Sequence, residues 1–456
     1  MKNVMKNKKL WIGLAAAVLA LLAGLCWYQN THVFVEGTPY PKAAGSLDLR
    51  GKQISAEHYD QLRQLLPECE IAWDVPFQGQ FLPEETGELT ISALSEQDVE
   101  MLRYFPGLES VNAAGCTDYH NLMMIREQYP QVKLSYDVII GGKTYAHTTA
   151  EMSFDGDEPE AEELLEKLQY LPQMESIRFV QPETEGRDLQ ALRQQYPDIV
   201  ITWEKDVLGQ TFADDVTELD FSGVLLADEE EMETLMTYFP DLEKLILSDC
   251  GLDYEVLADY RDRVRDDYKV VWTVDCGRFS IRTDAESIMS YKYNLFDLYD
   301  KELVNLKYCE DMICVDLGHN NLRSCDWAAY MPKLKYLILA HNNQLKDISG
   351  VANCKELVYF EFGWTAVRDL TPLLGCTALE DINMKYVLCD ADVLVQMPWL
   401  KNVFWSGCPS RNYNILEGAL PDTYLLLEEE NWDTKHWRKL DNYYAQRDVL
   451  GMHYMS

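Results

Sequence analysis

The chain holds 456 residues, 47% hydrophobic and 25% charged, ordinary globular usage that excludes wholesale disorder. That length suits several compact domains or one long repeat array, not a single small core. A net charge of −36, from 40 Lys and Arg against 76 Asp and Glu, repels phosphate backbones and argues against a nucleic-acid partner.

From Leu10 to Tyr28 there is no charged residue. As a helix this run rises about 28 Å, one hydrocarbon core. Trp11 marks one edge, and Trp27 and Tyr28 the other, where amphipathic rings prefer to sit. Lys2, Lys6, Lys8 and Lys9 precede it, so the positive-inside tendency predicts a cytoplasmic tail at 1–9. A transmembrane signal anchor at 10–28, a linker at 29–45 and export of the remainder follow from that orientation. A cleaved signal peptide and lipidation at Cys26 are the alternatives. Both meet one obstacle, since Leu25 stands where a small residue is preferred.

Residues 46–284 repeat with a long unit. LPECEIAWDVPFQGQF at 66, YPQVKLSYDVIIGGKTY at 129, YPDIVITWEKDVLGQTF at 196 and DDYKVVWTVDCGRFSI at 267 align Ile71, Leu134, Ile201 and Val270. Each full unit holds three strand signals: Leu89, Val111 and Leu134; then Met152, Ile177 and Ile201; then Leu219, Leu245 and Val270. Leu47 and Ile71 form a truncated first unit. Steps of 22 to 26 residues within units leave room for a helix, and SAEHYDQLRQLL at 55, SEQDVEMLRYF at 95, EAEELLEKLQYL at 160 and DEEEMETLMTYF at 228 carry apolar residues at helical spacing. Ser55 and Ser95 are the predicted N-caps. Steps of 18 between units are too short for a strand plus a helix. With Gly79, Gly142, Gly209 and Gly277 at equivalent places, they predict β-hairpins near 74–81, 137–146, 204–212 and 273–281.

Residues 285–308 fit the repeat poorly and are expected to bridge to a second array. At 309–430, MICVDLGHNNL, LKYLILAHNNQL, LVYFEFGWTAV, LEDINMKYVLC and LKNVFWSGCPS align Val315, Leu337, Phe360, Ile382 and Val403 at steps of 22, 23, 22 and 21, and Leu425 adds another 22. A coil of that length is one strand, a bend and a return, and its inward residues are buried only when coils stack. Asn320 and Asn342 fill the polar column where an inward amide bonds the backbone of the bend, and Thr365, Val387 and Cys408 replace it later. The aromatic-rich segment 431–456 is off-register, and a helix capping the last coil is expected there.

These repeats resemble leucine-rich repeat proteins, and LKDISGVANCKELVYFEF at 345 and VRDLTPLLGCTALEDINM at 367 resemble internalin-type repeats. Residues 46–285 resemble the composite repeats of membrane-anchored or exported bacterial proteins of this kind. The resemblance implies an α/β leucine-rich repeat solenoid with a parallel sheet, serving as a recognition scaffold.

Twelve Cys invite a disulfide framework, but Cys309, Cys354 and Cys376 share one repeat column, and Cys116, Cys250 and Cys408 another, so core packing is the reading for most. His319 and His341 share a repeat position, but Trp364 and Tyr386 continue that column, so a third metal ligand is lacking. The acidic runs at 155 and 227 lack the ligand spacing of a calcium loop, and LPEETG at 82–87 has one residue too many for a sorting signal. No metal and no cofactor is expected. Nor does the sequence hold a Walker A loop, H-E-x-x-H or G-x-S-x-G.

The expected function is non-enzymatic: a membrane-tethered extracytoplasmic scaffold binding a protein or glycan partner. Alternate side chains of a strand leave the core, so Tyr336, Ile338, Tyr359, Glu361, Asp381, Asn383 and Phe404 are expected on the concave face, with Trp364 and Tyr386 joining Tyr359 in one aromatic strip. The alternative is an exported enzyme, such as a wall hydrolase, whose site forms no linear motif.

Overall fold

The computed structural model describes residues 2–292, 294–407, 412, 414–427 and 434–452. The chain divides into two compact units, Met1–Glu204 and Lys205–Ser456. The division falls inside the composite array, not at 285–308. In a repeat array each coil touches only its neighbours, so a break needs no change of repeat type.

The first unit opens with the helix Lys2–Thr31. Its stretch Leu14–Thr31 is long and apolar enough to cross a membrane, and none of it is buried against the rest of the chain. Ser46–Asp48 and Glu70–Ala72 then pair in parallel, Leu47 opposite Ile71, with the helix Ala56–Leu65 between them. Ser55 caps that helix, its hydroxyl accepting from His58 N at 3.0 Å, and Ser95 forms a reciprocal box with Asp98 at the next. The second set, Glu88–Thr90, Ser110–Ala113 and Lys133–Ile140, aligns Leu89, Val111 and Leu134. The third aligns Met152, Ile177 and Ile201. Hairpins connect the sets: Asp74–Phe77 with Gln80–Pro83, and Lys133–Ile140 with Lys143–Ala146. Gly79 and Gly142 turn them at φ 74° and 71°, a region closed to most side chains.

In the second unit, Glu218–Asp220, Lys244–Ile246 and Lys269–Val271 align Leu219, Leu245 and Val270, and Thr273–Asp275 pairs antiparallel with Ser280–Arg282. A sheet of seven parallel strands follows: Ser287–Met289, Cys314–Asp316, Tyr336–Ile338, Tyr359–Glu361, Asp381–Asn383, Asn402–Phe404 and Tyr424–Leu426. Its central column is Ile288, Val315, Leu337, Phe360, Ile382, Val403 and Leu425. The first strand lies in the segment expected only to bridge. Its step to Val315 is longer than the coils that follow and hides the repeat.

Return segments in these coils are single 3₁₀ turns, such as Asp326–Tyr330, Ser349–Asn353 and Thr371–Gly375. Two glycines let them stack backbone to backbone. A Cβ on Gly350 would stand 2.1 Å from Cys325 O, and one on Gly375 2.2 Å from Ala352 O. The polar column works as the sequence implies. Asn342, fully buried, accepts from Leu322 N at 3.0 Å and donates to Leu317 O and Leu339 O at 3.0 and 2.9 Å. Thr365 keeps one bond, to Phe362 O at 2.8 Å, and Val387 keeps none from its side chain but lends its carbonyl to Trp405 Nε1 at 2.8 Å. Cys408 lies outside the described residues.

Cys309, Cys354 and Cys376 are buried free thiols, and burial pushes each up to about 12. Cys354 and Cys376 donate to Ala328 O and Val351 O of the preceding coil at 3.3 and 3.1 Å. Cysteine here acts as a small core residue with a weak donor.

The C-terminal helices, Thr434–Trp437 and Asp441–Val449, are not an end cap. They lie across the sheet's concave face, from the seventh strand back to the first, where Leu426, Phe404, Tyr359, Ile338, Cys314 and Met289 share one cluster with Trp437 and Leu450. The reason is chemical: Met289, Cys314, Ile338, Tyr359 and Phe404 on the outward columns are apolar, and water-exposed they would cost what an open core costs. Residues 428–433 and 453–456 of the expected cap lie outside the described residues.

Candidate functional site

Each strand of the seven-stranded sheet presents its first and third residues to the concave side. Six of the expected binding residues, Tyr336, Ile338, Tyr359, Glu361, Asp381 and Phe404, project there beneath or beside the chain's own helices. Tyr359 is wholly inaccessible and Asp381 nearly so. Trp437 is the anchor, its ring 5.0 Å from that of Tyr359 and 4.5 Å, edge-on, from that of Phe404. Asn442 Nδ2 donates to Asp381 Oδ2 at 3.0 Å, and Cys314 Sγ donates to Gln446 O at 3.8 Å. Tyr359 donates to Glu361 Oε2 at 2.8 Å. Burial raises the carboxyls of Asp316, Glu361 and Asp381 above the usual range, because a charge loses its water there. The expectation of an open concave face is therefore corrected. Asn383 shares that column of the sheet, partly buried, and accepts from Lys385 N at 3.3 Å.

Trp364 and Tyr386 do not join Tyr359. They belong to a second strip, four residues beyond the central column, where the backbone bends out of the strand. His319, His341, Trp364 and Tyr386 take φ of 61°, 62°, 55° and 60°. The bend is a property of the coil: Gly51, Gly115, Gly223, Asp249 and Gly407 hold the same offset with positive φ. There each backbone N–H reaches the next coil, His341 N to Gly363 O at 2.9 Å and Trp364 N to Lys385 O at 2.8 Å. Glycine meets this requirement without cost, whereas a side chain in the left-handed region pays about 1–2 kcal/mol. Four consecutive coils nevertheless carry rings.

Those rings stack. Centroids are 4.2 Å apart from His319 to His341, 4.4 Å from His341 to Trp364 and 5.0 Å from Trp364 to Tyr386, close to the spacing of the strands beneath. Lys385 Nζ lies 5.7 Å from the Trp364 centroid and 5.4 Å from that of Tyr386, within cation–π range. The ladder stops at Gly407, where a Cβ would sit 2.3 Å from Tyr386 Cε1, so the glycine makes room for the last ring. His319 is exposed, and the other three rings are partly exposed. Partial burial and the neighbouring His319 hold the His341 imidazole below its usual value, which favours the neutral ring in a stack. Among the described residues no group of three or more His, Cys, Asp or Glu is placed to hold a metal ion.

The ladder was legible as a column in the sequence, four residues after each strand centre. Its geometry was not, because a left-handed bend at Trp or Tyr contradicts local preference. Coverage of the concave face was missed, although the apolar outward residues Cys314, Ile338 and Phe404 were the signal for it.

No protein-family model matches the sequence. No curated protein matches it either. Among solved structures, internalin C2 from Listeria monocytogenes is similar at 15% identity, over 49% of this chain and 87% of that one, with a TM-score of 0.27. An internalin, inlF, from the same organism matches at 13% identity, over 83% and 96%, with a TM-score of 0.28. TLR13, solved in complex with ssRNA13, matches at 12% identity, over 81% and 55%, with a TM-score of 0.26. Stacked coils of 21 to 23 residues, one parallel sheet in continuous register and an inward Asn column identify the fold of this chain as a leucine-rich repeat array.

Proposed function

We propose that this chain is a non-enzymatic recognition scaffold, tethered to a membrane by its N-terminal helix, with its repeat arrays on the extracytoplasmic side, binding a protein or glycan partner. The observation that carries this reading is the ring ladder His319–His341–Trp364–Tyr386. Bulky rings occupy a backbone position that favours glycine, and they stay partly open to solvent. Strain kept at consecutive exposed positions is the mark of a working surface. Flat stacked rings suit the apolar face of a sugar or an aliphatic or cationic side chain, burying area at small entropic cost. The acidic surface, net −36, favours a neutral or basic partner and disfavours nucleic acid.

The test is capture with crosslinking from intact envelopes, using the unchanged chain and Trp364→Ala, beside a glycan panel read with the same pair. A partner retained by the first and lost tens-fold by the second supports the assignment. Equal capture by both removes the ladder from the site.

A further inference from the structure

We infer that the concave sheet of the regular array is a groove for an amphipathic helix, that the C-terminal segment Thr434–Met452 is its built-in occupant, and that a partner enters by displacing this segment with a helix carrying one aromatic anchor and one amide donor. This rests on reading the array as a recognition scaffold, but uses a different surface from the ring ladder.

The groove is complete without its occupant in one respect. Its core column, Val315, Leu337, Phe360, Ile382 and Val403, is fully buried, sealed by stacking between coils and by the return turns. What the segment covers is a second, outward layer. The cover is made of two short helices, four and nine residues long, too short to persist alone in water. They hold on through one ring seated between Tyr359 and Phe404, one amide on Asp381, the Gln446 carbonyl on Cys314, and Leu450 with Leu440, Tyr443, Val449 and Met452 beside it.

The seated ring supplies the partner's chemistry. The concave columns carry Asp316, Glu361 and Asp381 among apolar residues, and the segment answers with Asn442, whose amide donates to Asp381 Oδ2 at 3.0 Å. A segment that seats one ring between Tyr359 and Phe404 and one amide on a buried carboxyl is shaped as a ligand for this face. Its fit is incomplete, since Trp437 Nε1 and Gln446 Oε1 are buried without a hydrogen-bond partner of good geometry. An unpaired buried polar atom costs about tenfold in affinity or more, which leaves room for a competitor that pairs both.

The experiment uses the full chain in detergent and, as probe, a fluorescent peptide copying residues 434–452. The peptide should bind full-chain Trp437→Ala at least tenfold more tightly than it binds the unchanged chain. A peptide with its own Trp437→Ala change should not bind. Amide exchange in the variant should rise within 434–452 while the seven strands stay protected. Trp364→Ala should leave peptide binding unchanged, so this inference and the ring-ladder reading can fail separately. Equal binding to both chains would overturn the proposal, as would dimers formed by trading the segment between copies. If Trp437→Ala unfolds the array, Asn442→Ala replaces it, and no gain in peptide binding there also defeats the inference.

Discussion

Trp364 offers a pair of substitutions that separates backbone from side chain. Trp364→Ala and Trp364→Gly delete the same ring, with its stacks at 4.4 Å on His341 and 5.0 Å on Tyr386. They differ by one Cβ at φ 55°. Loss of two partly exposed ring contacts costs about 1–2 kcal/mol in either variant. The left-handed bend then charges alanine about 1–2 kcal/mol that glycine escapes. Glycine also gains freedom in the unfolded chain, which returns part of that difference, so the net advantage should be about 1 kcal/mol. In a unit of this size that is roughly 2–4 °C of melting temperature. The assay is thermal unfolding of both full-length variants in the same detergent, with partner capture alongside. Trp364→Gly should melt higher than Trp364→Ala and lie near the unchanged chain, while both lose the partner equally. If alanine melts as high as glycine, the bend is not strained, and ring retention at this position needs no functional cause.

Leu337→Ala should behave oppositely, losing about 2–5 kcal/mol through a cavity in a fully buried column while leaving partner chemistry at the ladder intact once folded; denaturant unfolding with capture at low temperature reads both. Asn342→Ala strands Leu322 N and Leu339 O and leaves Leu317 O with Asn320 Nδ2 alone, and should cost about 2–5 kcal/mol against about 1 for Thr365→Ala, which loses a single bond; urea midpoints compare them. Docking of the C-terminal helices should tighten as pH falls. Burial raises Asp316, Glu361 and Asp381 in the folded state, so the closed face binds protons more tightly than the open one; its stability is full below the ordinary carboxylate range and declines as pH rises through the raised values. Arg438, Arg447, Lys401, Glu380, His319 and Tyr359 also face these groups, and the arginines stay charged throughout. Amide exchange at 434–452, corrected for its intrinsic pH dependence, should slow as pH falls through the raised values toward the ordinary carboxylate range, and faster opening at the acid end would contradict the assignment. Protease added outside intact cells should digest the arrays and leave a small membrane-bound stub; protection of the whole chain contradicts export.

The sequence by itself determined the coils. Repeat spacing names the column residues from Leu47 to Val270 and from Val315 to Leu425, and the structure pairs them in that register and adds Ile288 between the arrays, because an inward residue in a stacked coil has one place to go. The hairpins were equally legible, since 18 residues cannot hold a strand and a helix and Gly79, Gly142 and Gly277 permit the turn. Only the tertiary structure decided what covers the outward face. Alternation says that Tyr359 and Phe404 leave the core, but not whether water or Trp437 meets them, because that contact joins residues about 80 and about 30 positions apart with no repeat to relate them. It alone also separated Trp364 from Tyr359. The two are five residues apart in one coil, yet a left-handed bend between strand and return turns one ring into a solvent-facing ladder and leaves the other sealed beneath the chain's own C-terminal helices.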